Sequence, residues 1–73
     1  MKTEHRVKKD NACSVHIAIL DYETGKVDIL ETKLRNDYEE GDVIHFLNNM
    51  GYKENNIEYM YQDTHIEIRK RKV

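Results

Sequence analysis

The stretch from Cys13 to Leu20 constrains the fold more than any other part of this sequence. Apolar residues recur at every second position, as in a β-strand. This first set is Cys13, Val15, Ile17 and Ile19. The intervening set is also fairly apolar: Ser14, His16, Ala18 and Leu20. Because a strand with two apolar faces is best buried inside a sheet, we expect this segment to be a central strand.

A second strand is predicted over residues 26–32, where Val27 and Ile29 alternate with Asp28. The intervening segment, residues 21–26, contains Gly25, which takes positive φ without steric cost, as a hairpin loop requires. Its Gly-Lys pair does not indicate a phosphate-binding loop, because no upstream glycine and no hydroxyl residue accompany it. We therefore predict a β-hairpin with Val27 and Ile29 in the core.

One amphipathic helix is predicted after the hairpin. Its apolar stripe has the spacing i, i+3, i+4, i+7 and consists of Val43, Phe46, Leu47 and Met50. Asp37 with Glu40 suggests a capping box at the start of the helix. Gly51 suits a left-handed C-cap, and Tyr52 is placed for the hydrophobic contact that accompanies such a cap.

Two further strands complete the pattern. Alternating apolar positions at Ile57, Tyr59 and Tyr61 predict the third strand, and Ile66 and Ile68 predict a fourth over residues 64–68. A two-residue turn at 62–63 would align their apolar sets. The same register would set two like charges against each other, which is mildly unfavourable: the pair is Glu58 and Glu67.

These elements predict one small α+β domain, β-β-α-β-β, with a four-stranded, mainly antiparallel sheet in the order 2-1-3-4 and one helix packed on one face. We expect a flexible polar tail at residues 1–11, the domain at 12–69 and a basic tail at 70–73. The expected core consists of Val15, Ile17, Ile19, Val27, Ile29, Val43, Phe46, Leu47, Met50, Ile57, Tyr59, Ile66 and Ile68.

The chain has 73 residues and a single cysteine, so no internal disulfide can form. We expect Cys13 to be a buried, unreactive strand residue. The sequence contains no apolar run of the about 20 residues that a membrane span needs, nor the apolar core of a signal peptide. Together these features favour a cytoplasmic protein with no membrane partner.

The net charge of −2 conceals a segregation of charge along the chain. Residues 10–68 contain 13 acidic and four basic residues, a balance of −9, whereas both ends are basic. The C-terminal end carries four consecutive cations: Arg69, Lys70, Arg71 and Lys72. A mobile basic end can make weak phosphate contacts, but nucleic-acid binders usually spread basic residues over a folded face. Its main expected role is to keep the strand end soluble.

The sequence contains no catalytic constellation and no family motif that we recognise. The candidate metal ligands are His5, His16, His45, His65 and Cys13. Of these, only His16 and His65 are predicted to share a face, and two histidines do not complete a zinc site. Opposed glutamates on an open strand face would lack the concave pocket that catalysis uses. We expect no metal, no cofactor and no enzymatic activity.

The uncovered face of the predicted sheet is the most informative surface. It is expected to bear a small apolar patch flanked by histidines: Ala18, Leu20, Leu30, Met60, His16 and His65. RNA-binding sheets stack bases on exposed aromatic residues, and none is predicted here. The sequence therefore favours a small non-catalytic interaction or regulatory module. It would bind a protein partner or form a homodimer through this face or an edge strand. The alternative is weak, sequence-nonspecific nucleic-acid binding through the basic termini.

Overall fold

The computed structural model describes residues 12–72, so the predicted N-terminal tail at residues 1–11 and the final residue lie outside the described part. The elements in chain order are β1 (Ala12–Asp21), β2 (Lys26–Arg35), α1 (Glu40–Asn49), a 3-10 helix (Glu54–Asn56) and β3 (Ile57–Gln62). The described chain thus has the predicted α+β class, with one α-helix and three strands instead of four.

β1 lies in the middle of an antiparallel sheet with the order β2-β1-β3. This confirms the prediction from its two apolar faces, and the first three strands have the predicted order. On one face of the sheet, the side chains of Val15, Ile17 and Ile19 are completely buried. We call this the core face, and the opposite face, on which Leu20 lies, the open face.

The hairpin between β1 and β2 has a four-residue loop, because Asp21 pairs with Lys26. Gly25 closes the loop with φ +73°, and its N–H donates a hydrogen bond of 2.8 Å to the carbonyl of Asp21. The Asp21 carboxylate also accepts a hydrogen bond of 3.0 Å from the Glu23 N–H. The left-handed conformation explains why glycine occupies this position.

The loop length determines which side of β2 faces the core, and it corrects one prediction. Leu20 pairs with Val27, and Ala18 pairs with Ile29, so both β2 residues lie on the open face. They are 52% and 38% exposed, respectively, and the prediction that they are core residues is wrong. Leu30 pairs with Ile17 and packs partly buried against the core. Strand side chains alternate with period two, so a loop one residue longer or shorter would have reversed this assignment.

The helix begins two residues later than the predicted capping box. Its N-cap is Glu39, whose backbone N–H donates a hydrogen bond of 3.0 Å to the Asp42 carboxylate. Asp37 instead forms an exposed ion pair with Arg35, at 3.3 Å. The predicted Asp37–Glu40 box is therefore wrong, because Asp37 lies in the turn that leaves β2, before the helix starts.

The apolar stripe of α1 is only partly buried. Val43 and Leu47 belong to the same buried cluster as Ile17 and the other core residues of β1, and Phe46 packs against that cluster. Met50 is the C-cap and is 53% exposed, so its predicted place in the core is wrong.

The C-terminus of α1 has the predicted glycine cap. Gly51 has φ +101°, and its N–H donates to the carbonyl of Asn48 over 3.1 Å. The N–H of Tyr52 donates to the carbonyl of Leu47 over 3.0 Å, and these two bonds together form a Schellman motif. The side chain of Tyr52 packs against the core cluster, as the sequence predicted.

The predicted fourth strand is absent from the described residues, since residues 64–72 form neither helix nor strand. Ile66 is nevertheless buried at 9% exposure, whereas Ile68 is 58% exposed, so the prediction holds for the burial of Ile66 alone. Glu58 pairs with Leu20, and Glu67 lies in no strand. Pairing of residues 64–68 with β3 in the predicted register would have placed these two carboxylates opposite each other, and their repulsion disfavours a fourth strand.

Side-chain hydrogen bonds shape the turn where the chain leaves β3. The Gln62 amide nitrogen donates to the carbonyl of Thr64 over 3.2 Å and to that of His65 over 3.0 Å. The same amide also contacts the Thr64 hydroxyl, at 3.1 Å. The first bond occupies the Thr64 carbonyl, which a fourth strand would have used for pairing with Tyr61, so it favours a turn that leads away from the ladder.

Candidate protein interface on the open face of the sheet

The open face carries a contiguous group of apolar side chains drawn from all three strands. Two rows of directly paired residues contain it: Val27, Leu20 and Glu58 in one row, and Ile29, Ala18 and Met60 in the next. We call its five apolar members the open-face patch: Ala18, Leu20, Val27, Ile29 and Met60. Neighbouring strands lie about 4.8 Å apart, so these side chains form one surface.

Four members of the open-face patch are large and exposed. The exposed fractions are 46% for Leu20, 52% for Val27, 38% for Ile29 and 50% for Met60. A groove of about 330 Å³ passes over part of this surface; it is lined by Ala18, Leu20, Val27, Glu58, Tyr59 and Met60. Because the patch lies on a hydrogen-bonded sheet, its shape is largely fixed before any partner arrives.

The structure brings most of the sequence-predicted patch together and moves one residue away. Ala18 pairs with Met60, and Leu20 lies in the adjacent row of the same face. Leu30 does not belong to this surface: it lies on the core face, and Val27 and Ile29 occupy the open face of β2. The sequence analysis did not place these two residues on the open face. The signal that could have placed them is the length of the hairpin loop, because a loop of four residues puts Val27 on the same face as Leu20.

The two predicted histidines lie at one end of the open face. His16 pairs with Gln62, and the ring centroids of His16 and His65 are 6.0 Å apart in a T-shaped arrangement. His45 lies exposed on α1, and His5 lies outside the described residues. Within residues 12–72, no three histidine, cysteine or acidic side chains are grouped closely enough to hold a metal ion.

Charged side chains border the open-face patch. Glu58 lies next to Leu20, and Glu31 follows Ile29 on the same face of β2. Lys33 and Arg35 come further along the same face of the strand, and all four charged residues are exposed. The apolar surface is therefore bordered first by carboxylates, with cations beyond them.

Cys13 lies on the core face, where it pairs with Leu34. Its thiol is half-buried rather than fully buried, and Sγ lies 4.0 Å from the carbonyl oxygen of Arg35. The predicted burial of this residue is thus only partial. The position at the end of the sheet, beyond the paired part of β3, explains the remaining exposure.

On the core side, three tyrosine hydroxyls donate hydrogen bonds to carboxylates. The partners are Asp28 for Tyr52 at 2.5 Å, Glu40 for Tyr59 at 2.6 Å and Asp63 for Tyr38 at 3.2 Å. Each bond joins segments that are at least 19 residues apart in the sequence. Buried tyrosine rings commonly find a partner for the hydroxyl, but the sequence offered no means of choosing which carboxylate.

These contacts raise the tyrosine pKa values. The hydrogen bond to Asp28, assisted by burial, raises the pKa of Tyr52 to about 12. The hydrogen bond to Glu40, again with burial, raises the pKa of Tyr59 to about 12. For Tyr38, burial and the nearby Asp63 carboxylate raise the pKa. A proton that is shared with a carboxylate is harder to remove, so these groups stay neutral and structural at ordinary pH.

The basic C-terminal residues extend beyond the ordered strands. All four cations from Arg69 to Lys72 are exposed and lie outside helix and strand.

No helix in residues 12–72 combines the length and apolar character that crossing a membrane requires.

No protein-family model matches this chain, and no curated protein or solved structure matches it either.

Proposed function

We propose that this protein is a small non-catalytic interaction module, in which α1 covers the core face of the sheet and the open face contacts another protein. The observation that supports this proposal is the open-face patch. Four large apolar side chains, each more than a third exposed, lie side by side on one rigid surface. Contiguous apolar surface on a small protein commonly marks an interaction site.

The charges around the open-face patch favour a particular kind of partner. Glu31 and Glu58 border the apolar side chains, and residues 10–68 have a charge balance of −9. A partner with an apolar surface and a basic rim would be attracted to this face and held in register by it. A second copy of the acidic body would gain no such attraction, so we propose a different protein as the occupant of the open face.

The patch is better suited to moderate than to very tight binding. It contains few large side chains, whereas standard protein interfaces involve about 20–30 residues on each side. Its strands are already ordered, so little conformational entropy is lost when a partner docks. Such a module suits a reversible, regulatory contact.

Two methionines provide a matched experiment. Met60→Lys places a charge in the open-face patch, whereas Met50→Lys makes the same change at the C-cap of α1. Their exposed fractions are nearly equal, at 50% and 53%, so both variants should fold. Tagged wild-type protein and both variants are used to capture partners from cells, and each captured protein is then purified and titrated against all three.

We expect at least one purified partner to bind the wild type and Met50→Lys equally tightly. It should bind Met60→Lys about tenfold more weakly, since burying an unpaired charge costs more than about 1.4 kcal/mol. If every purified partner binds Met60→Lys as tightly as Met50→Lys, the open face is not the interface and the proposal is wrong.

The second candidate function is weak, sequence-blind contact with nucleic acid. Four consecutive exposed cations, Arg69 to Lys72, support it. They lie beside a body whose charge would repel a phosphate backbone, so the contact would be limited to the tail itself. This arrangement favours the protein-binding function over the nucleic-acid function.

A further inference from the structure

The outer edge of β2 has the features of a strand that pairs with a second copy of itself. β2 is ten residues long and lies at one edge of the sheet order β2-β1-β3. Within the described part of the chain, no strand pairs with its outer side. A long unpaired edge presents a row of free backbone donors and acceptors, which is a template for pairing with another chain.

The backbone hydrogen bonds show which residues of β2 face outward. The Tyr22 N–H donates to the carbonyl of Asn56 over 3.0 Å, which extends the β1–β3 ladder by one pair. In an antiparallel ladder, bonded positions alternate along a strand, so even-numbered residues of β1 bond to β3 and odd-numbered ones to β2. By the pairing of β1 with β2, the groups of Glu31 and Lys33 then point away from the sheet.

The sequence of β2 is self-complementary around Thr32. Residues 30–34 read Leu-Glu-Thr-Lys-Leu, so reversal of the segment exchanges leucine with leucine and glutamate with lysine. Two antiparallel copies centred on Thr32 would place Glu31 of each chain opposite Lys33 of the other. Both residues are exposed and lie on the open face, where the two pairs would sit side by side.

The core-facing side of β2 fits the same register. Leu30 and Leu34 are half-buried against the core, and each would lie opposite the other residue in the second copy. A groove of about 250 Å³ opens beside Leu34 and is bounded by Phe46 of α1. This groove provides room for the incoming leucine, whose burial would add apolar contact to the new strand pair.

Three neighbouring two-fold registers that use the same outward backbone groups are less favourable. A centre on Glu31 would oppose two glutamates, and a centre on Lys33 would oppose two lysines. A centre on Leu30 would set Ile29 against Glu31 and Val27 against Lys33, whereas the centre on Thr32 sets Ile29 against Arg35 and leaves Val27 without a partner in β2. Charged residues usually protect an edge strand from pairing. In β2 the charged residues would disfavour these three registers and stabilise the register centred on Thr32.

We propose that this protein forms a two-fold homodimer by antiparallel pairing of β2 with β2 about Thr32, which joins the two sheets into one six-stranded sheet. The open-face patches of the two copies would then lie on the same side of the joined sheet, and each would stay accessible. The edge of β2 is a different surface from the open-face patch, so dimer formation does not depend on the partner proposed for the open face.

Charge reversal provides a test that depends on the register. Glu31→Lys sets lysine against lysine in both pairs, and Lys33→Glu sets glutamate against glutamate. Sedimentation velocity should show the wild type at twice the monomer mass of 8.8 kDa, with about tenfold weaker association for each single variant. An equal mixture of the two variants should dimerise again, because each chain then meets opposite charges. The double variant Glu31→Lys/Lys33→Glu should also dimerise.

Met60→Lys is the control, because it alters the open face without touching the β2 edge and should leave the dimer intact. A wild type that sediments as a monomer at roughly 0.5 mM, where even a weak Kd would be visible, overturns the inference. So does a mixture of the single variants that stays monomeric, or dissociation of the dimer by Met60→Lys. The first two results leave the capture experiment on the open face unaffected, because that experiment compares Met60→Lys with Met50→Lys in binding to a purified partner. Dissociation by Met60→Lys would instead place a second copy on the open face, against the occupant proposed above.

Discussion

The hydroxyl of Tyr52 lies 2.5 Å from a carboxylate oxygen of Asp28, and this hydrogen bond ties the end of the helix to the edge strand β2. Tyr52 follows the glycine cap of α1, and Asp28 lies on the core face of β2, opposite Ile19. The contact joins residues 24 positions apart in a chain whose core is small. We expect it to contribute measurably to stability.

Removal of the Tyr52 hydroxyl should destabilise the fold. Tyr52→Phe leaves a half-buried carboxylate without its donor, so the free energy of unfolding should fall by about 1–2 kcal/mol. Tyr22→Phe is the matched control, since Tyr22 is 67% exposed in the hairpin loop and should change stability little. Urea denaturation of the two variants measures the difference; equal midpoints would mean that the bond adds nothing.

Stability should fall at alkaline pH because of the tyrosine–carboxylate bonds. The folded state raises the pKa of Tyr52 and Tyr59 to about 12, above the ordinary value of 10.0. Their contribution is therefore complete below pH 10, and it is lost as the pH rises towards 12, since the unfolded chain releases these protons first. Urea midpoints at several pH values should drop in this window. The drop should be smaller for Tyr52→Phe/Tyr59→Phe, and an unchanged drop would assign it to other groups.

Two glycines should respond in opposite directions to the same substitution. Gly51→Ala places a side chain at φ +101°, which costs about 1 kcal/mol even though no atom lies within 4 Å of the new Cβ. Gly41→Ala in the first turn of α1 meets no atom either and has ordinary helical geometry. It should stabilise the protein by about 0.5–1 kcal/mol. Thermal unfolding measures both changes, and a stabilising Gly51→Ala would contradict the left-handed cap.

The segment after β3 should contribute to stability through one side chain. Ile66→Ala removes a side chain that is 9% exposed, and it should lower the free energy of unfolding by about 2 kcal/mol or more. Ile68→Ala makes the same change at a side chain that is 58% exposed and should have almost no effect. If both substitutions are neutral in urea denaturation, residues 64–68 do not pack against the domain in solution.

The basic tail should bind nucleic acid weakly and without sequence preference. Deletion of residues 70–73 should leave the fold intact and reduce solubility, because the cations lie outside every helix and strand. Any duplex binding should vanish near 150 mM salt, since about four phosphate contacts depend strongly on counterion release. Fluorescence anisotropy with two unrelated duplexes tests this, and tight, selective binding at that salt concentration would reverse the ranking of the two functions.

Much of the fold follows from local patterns in the sequence. Two apolar faces identify β1 as the central strand, since such a strand is best buried on both sides. The spacing of Val43 and Leu47 identifies the helix, and Gly51 marks its end because few other residues adopt positive φ. The open-face patch was partly predictable for the same reason: Ala18, Leu20 and Met60 follow from alternation along their own strands.

The tertiary structure decided what depends on distant pairs of residues. The facing of β2 depends on register with β1, and one residue in the hairpin loop separates the two answers, so Leu30 and Val27 exchanged faces. The carboxylate that each tyrosine contacts depends on how the helix and sheet meet, which no local pattern encodes. The course of residues 64–68 depends on contacts such as those of the Gln62 amide with Thr64 and His65, which alternation along the chain does not predict. Local propensity acts within a few residues, whereas each of these outcomes is fixed by contacts that exist only after the chain has folded.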